Sequence, residues 1–234
     1  MPDLHIRRIE STDPRLGRHV VHDERSRGFA LAAGVDQSTW QTKLLRVYDP
    51  VPNPNQVIGD CTGCAKAMQM NAAGNRVAGV RLGLKDADGI YSLATTLDDI
   101  DGYYKVGDPR SEDTGSTGLA AAKAAQKLGI GGGYRWLFGG ADEVVQAVVT
   151  GHVVNVGTRW DNRMFDQDSR HFVHLGGGVA GGHEWTVRGY SAELDALRGR
   201  CWWGDFRDFW IARADLQELL ADEGDAHVQD RVKP

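Results

Sequence analysis

An α+β arrangement of two lobes follows from three features of the sequence. Helical periodicities occupy the middle of the chain, β-type runs take over after Gly151, and a charge-dense stretch precedes both. The stretch RRIESTDPRLGRHVVHDERSR has little apolar periodicity, and DPVPNPNQ then sets three prolines within five residues, so residues 1–50 read as an extended arm closed by a rigid turn. From Cys61, the positions Cys61, Cys64, Ala65, Met68 and Ala72 recur at helical spacing, with Asp60 as N-cap and Gly74 as stop. A second helix is expected from Ser116 to Gly129, capped by Asp113 or Ser116, and a third from Ala141 to Thr150. The runs HVVNVGT, HEWTVRGY, LRGRCWWG and FWI read as strands, and DNRMFDQDSRHFVHLGGGVAGG between the first two reads as a long functional loop. The expected organisation is an arm over 1–50, a helical lobe over 51–140, a β lobe over 141–222 and a flexible tail over 223–234.

The 234 residues are 41% hydrophobic and 25% charged, a composition that buries a sizeable core and excludes a disordered or fibrous chain. A net charge of −5 lacks the field that gathers polyanions, so nucleic acid is not an expected partner. No apolar stretch reaches a membrane span, so no membrane partner is expected either. The N-terminal MPDLHIRRIESTDPR has no apolar run behind its basic residues and is not read as a secretory signal, which makes a cytoplasmic or virion-associated setting the expectation. Three cysteines cannot form a disulfide framework, and the thiols are then free for chemistry.

Cys61 opens a helix, where unpaired N–H groups and the positive end of the dipole favour a thiolate. On the later strand, alternation puts His183, Trp185, Val187 and Gly189 on one face, so an imidazole stands at a strand end, after a glycine-rich segment, placed to take a thiol proton. Taken singly, a helix cysteine is more often a small core residue, and a histidine on an apolar face is more often simply hydrogen-bonded.

NQVIGDCTGCA, GGHEWTVRGY and RCWWGDFRDFWI together resemble the papain-like cysteine peptidases, whose motifs occur in this order. RHVVHDERSR, GDCTGCA, EDTGSTGLAAAKAA, VGTRW and GGHEWTVRGY are more specifically similar to a compact branch found in bacteria and phages. The resemblance implies a papain-like two-lobe fold, a helical lobe packed on an antiparallel β-sheet or barrel with the cleft between. It also implies peptide-bond hydrolysis through an acyl-enzyme, on a protein or peptide substrate and without a cofactor or metal. Cys61 matches the nucleophile and His183 the base, while the oxyanion-donating amide falls on Gln56 or Asn55. Where the family has the asparagine that orients the histidine, this chain has Cys201, a weak hydrogen-bond partner. Asp60, beside the nucleophile, is a second departure, because its charge works against a thiolate.

Two alternatives accompany this reading. The change at Cys201 motivates an inactive papain-like protein serving as a structural or binding part, for example with phage structural proteins as partners. The C-x-x-C of Cys61 and Cys64, taken with His183 and Cys201, has the ligand types of a structural zinc site, although it lacks a second tight pair.

Overall fold

The computed structural model describes residues 4–31, 34–75 and 80–232. Three helices form one side: α1 (Cys61–Met70), α2 (Leu84–Ala94) and α3 (Gly118–Lys127). Every residue of α1 is buried, and Ala65, Met68, Ile90, Ala120, Ala121 and Ala124 form a core in which small side chains let the three helices approach closely. α1 ends at Asn71 rather than Gly74, because the Asn71 side chain bonds both backbone groups of Leu82 at 2.8 and 2.9 Å. The cap of α3 is Thr117, whose hydroxyl accepts from Ala120 N at 3.1 Å. The two residues expected there have other work: Asp113 accepts from Gly59 N and the Tyr91 hydroxyl, and Ser116 donates to Asp98. Asp60 precedes α1 without capping it; its carboxylate accepts from the Cys64 thiol at 3.4 Å.

The other side is a seven-stranded, wholly antiparallel sheet. Its strands are β3 (Lys43–Leu44), β4 (Tyr134–Trp136), β5 (Val154–Asp161), β6 (Val179–Ser191), β7 (Ala196–Trp203), β8 (Phe206–Ala212) and β9 (Asp225–Gln229). The order is β4-β9-β5-β6-β7-β8 with β3 on β6, an open sheet that does not close into a barrel. The segment read as a tail therefore supplies β9, placed between β4 and β5 with Ala226 and Val228 in the core. Its signal was missed because a five-residue strand with polar residues at Asp225, His227 and Gln229 shows few apolar positions. β4 and β9 both come from outside the range assigned to the β lobe.

Helices α4 (Gly140–Val149) and α5 (Arg213–Ala221) cover one face of this sheet, where Val144, Val148 and Leu216 pack with Val156, Trp160, Trp185 and Phe209. The opposite face, toward α1 and α3, is unusually polar. Pairing sets Asp225, Gly157 and Glu184 in one row across β9, β5 and β6, with His227, Asn155 and Thr186 in the next. No helix among the described residues is long and apolar enough to cross a membrane.

The arm is structured. β1 (Leu4–Arg7) pairs with β2 (Val20–Asp23), and the chain between them passes into the space between the helices and the sheet. Arg18 N donates to Gly182 O on β6 at 3.0 Å, while His19 N and Ser116 N exchange bonds with Ser116 O and Gly17 O on the way into α3, each 2.8 Å. This segment is stitched to both walls.

Candidate active site

Cys61 is fully buried at the first turn of α1. Backbone N–H groups of Glu184 on β6 and of Gly17 on the arm point at its sulfur, yet burial dominates and pushes the thiol up to about 12. Burial raises the Asp60 carboxyl itself well above the usual range, and its charge is among the lesser causes that raise the Cys61 thiol. His183 lies on β6 next to Glu184 and is also fully buried. Its ring packs 4.4 Å from Trp203 and 5.0 Å from Trp160, and neither ring nitrogen finds a hydrogen-bond partner. No hydrogen bond joins the thiol and the imidazole: Glu184, the neighbour of His183 on β6, faces α1, while the His183 ring lies among Trp160 and Trp203. Burial, followed by the nearby Arg15 guanidinium, pulls His183 down to about 3.

Of the two amides, Gln56 is buried and Asn55 is exposed. Trp203 Nε1 donates to Gln56 Oε1 at 3.0 Å and so orients the amide; Gln56 Nε2 then donates to Arg15 O at 2.9 Å and Ile58 O at 2.7 Å. Asn55 instead pairs through its backbone with Trp203. Cys201 is buried two residues before Trp203, and its thiol donates to Phe206 O at 3.3 Å, away from the unpartnered His183 nitrogens. Cys64 is bound to Asp60, so Cys61, Cys64, His183 and Cys201 do not converge on one point. Among the described residues, the one group of three ligand-bearing side chains within 4.8 Å is Glu184, Asp225 and His227.

The arm crosses this region. Arg15 lies 4.4 Å over Trp203 and is held by Asp13 at 2.7 Å, its carbonyl is on Gln56, and Gly17 packs against Gly59, two residues before Cys61. Two glycine sites show how tight the passage is. A Cβ on Gly17 would stand 1.9 Å from Gly59 O, and one on Gly182 would stand 2.1 Å from Arg18 O. Gly181 and Gly182, read in the sequence as part of a flexible loop, are strand residues of β6 kept bare for the arm. The turn proper is Gly176–Gly178, all at positive φ. Gly17 belongs to no motif or period, Arg18 only opens the RHVVHDERSR segment, and the Gly-Gly before His183 is the trace of their contact in the strand.

A buried histidine of this kind makes stability depend on pH. His183 titrates near 6.5 when unfolded and near 3 when folded, so from pH 6.5 downward the unfolded chain takes a proton that the native one refuses. Stability therefore rises with pH across this window and is lost on acidification, by roughly 5 kcal/mol at most from this one group. Thermal melts of the protein and of His183→Phe at pH 4 to 7 should show a shallower slope for the variant. Equal slopes would mean that His183 is not held neutral.

No family model and no curated protein matches the sequence. Solved structures do match. Xylellain, a cysteine protease from Xylella fastidiosa, superposes with TM-score 0.65 at 15% identity, over 97% of this chain and 98% of its own. The Amb a 11 cysteine protease of ragweed pollen, in its proform, gives 0.58 at 13% identity over 87% and 67%. Bromelain from Ananas comosus, in complex with the inhibitor E64, gives 0.51 at 14% identity over 79% and 94%. At these identities the likeness is one of fold, and the chain has the papain-like fold.

Proposed function

We propose that the chain is a papain-like cysteine peptidase held closed by its own arm, with Cys61 as nucleophile, His183 as its base and Gln56 as oxyanion donor. The observation that carries the reading is a peptide segment threaded past the start of α1 and the amide: Arg15 O accepts from Gln56 Nε2 at 2.9 Å, and Gly17 packs against Gly59, two residues before Cys61. That is where a substrate chain would lie, with a carbonyl already on the group that would stabilise its oxyanion. Asn55, exposed and paired through its backbone, is the weaker choice of donor.

The closed state explains why the thiol and imidazole are not an ion pair. With the thiol near 12 and the imidazole near 3, the proton belongs on sulfur. Both shifts are dominated by burial, and the arm supplies part of that burial as well as the Arg15 charge that disfavours the imidazolium. Withdrawal of the arm admits water, lowers the thiol and raises the imidazole, so the pair forms when the cleft opens. The Cys201 thiol donates to Phe206 O, and Trp203, tilted against the imidazole and bonded to Gln56, is the side chain that holds base and amide in a common frame. No feature of the structure favours the phage-particle alternative.

The test is the pH dependence of Cys61 alkylation by iodoacetamide in a variant whose arm is displaced, Gly17→Ala, with and without His183→Ala. A fast plateau at acidic pH that the second substitution removes is the expected result. Labelling that climbs only near the ordinary thiol range in both proteins would overturn the reading.

A further inference from the structure

Arg18 follows the residue on the thiol and is almost wholly buried, although it belongs to the arm. Its Nη2 donates to Asp225 Oδ2 at 2.5 Å and to Glu223 O at 3.0 Å. Beneath it lies the row Asp225–Gly157–Glu184, fixed by the pairing of three strands and independent of the arm. Gly157 is what makes the hollow. A Cβ there would stand 2.6 Å from Glu184 Oε2, 2.7 Å from Arg18 Nε and 3.0 Å from Asp225 Oδ1. Both Glu184 oxygens and Asp225 Oδ1 keep unused acceptor capacity. Lys66, the other cation nearby, is engaged by Gln69 Oε1 at 2.8 Å and His227 Nε2 at 2.9 Å on the next row.

With Arg18 in place Asp225 has an ion-pair partner, while burial lifts the Glu184 carboxyl to about 8; without Arg18, the buried row loses the cation that pairs with Asp225. A planar, five-donor cation suits two carboxyl groups and a carbonyl better than a point charge does. We infer that the hollow under Gly157, walled by Glu184 and Asp225, is a subsite for a guanidinium, so that the peptides this site accepts carry an arginine where the arm carries Arg18. The inference rests on the peptidase reading for the identity of its ligand, and the subsite would make the arm a substrate mimic as well as a plug.

Two measurements test it. In Arg18→Ala, methylguanidinium at millimolar concentration should raise the melting temperature more than methylammonium does, with no such gain in the unsubstituted protein or after Asp225→Asn is added. In Gly17→Ala/Arg18→Ala, a peptide with the sequence of residues 11–19 should protect Cys61 from iodoacetamide at about tenfold lower concentration than the same peptide with norleucine for Arg18, a preference that Asp225→Asn abolishes. Equal protection by the two peptides, or equal shifts with the two cations, would overturn the subsite. An acidic labelling plateau without the arginine preference rejects the subsite alone. The arginine preference without a His183-dependent plateau keeps the subsite and rejects the peptidase.

Discussion

Gly17→Ala should speed alkylation of Cys61 at neutral pH by roughly 100-fold, because the thiolate fraction grows about tenfold for each unit by which the thiol falls from its buried value. The reason is steric and local. The new Cβ would meet Gly59 O at 1.9 Å, a backbone atom that cannot rotate away, and Gly17 is not at positive φ, so alanine adds no conformational penalty of its own. The arm must lift, and with it go the Gly17 carbonyl on Ser116, the Arg15 carbonyl on Gln56 and the guanidinium over Trp203. Gly28→Ala, elsewhere on the arm with no atom within 4 Å of its Cβ, is the control and should label at the unsubstituted rate. If Gly17→Ala labels no faster than this control, while near-ultraviolet dichroism shows the fold intact, the arm is not what shuts the site.

Trp160→Ala should be the most damaging single change to stability, about 3–5 kcal/mol by analogy with large-to-small core substitutions. Trp160 is fully buried on β5, and its ring stands edge-on to His183, Trp203, Phe206 and Phe209 at 5.0 to 6.3 Å. Those neighbours come from β6, β7 and β8, so the cavity would open where three strands meet rather than at a margin that can collapse. A loss of that size lowers Tm by roughly 6–20 °C in a chain of this length. Trp160→Ala should also loosen His183 and Trp203, and through Trp203 the Gln56 amide. A denaturant melt that moves by less than 1 kcal/mol would show that the aromatic cluster is not the keystone of the sheet.

The helix that presents Cys61 was legible because its apolar residues recur at i, i+3, i+4 and i+7, and it begins at Cys61 as expected. β6 was legible from HEWTVRGY for a similar reason: alternation buries His183, Trp185 and Val187 on the face shared with Trp160. Three things were not legible. β9 is short and alternates apolar with polar residues whose side-chain partners come from the arm, α1 and α3. The role of Gly181 and Gly182 depends on atoms of Ser11, Leu16 and Arg18, more than 160 residues away along the chain. The choice between Gln56 and Asn55 rests on which amide Trp203 can reach.

By itself, then, the sequence determined the α+β class, the helix that begins at Cys61 and the strand that carries His183, since periodicity is a local property. The tertiary structure decided the state of that chemistry. Burial raises the Cys61 thiol and lowers His183, and an arm lying between two walls puts a carbonyl on Gln56 and buries Arg18; burial and hydrogen bonding between segments so far apart leave no period in the sequence to read.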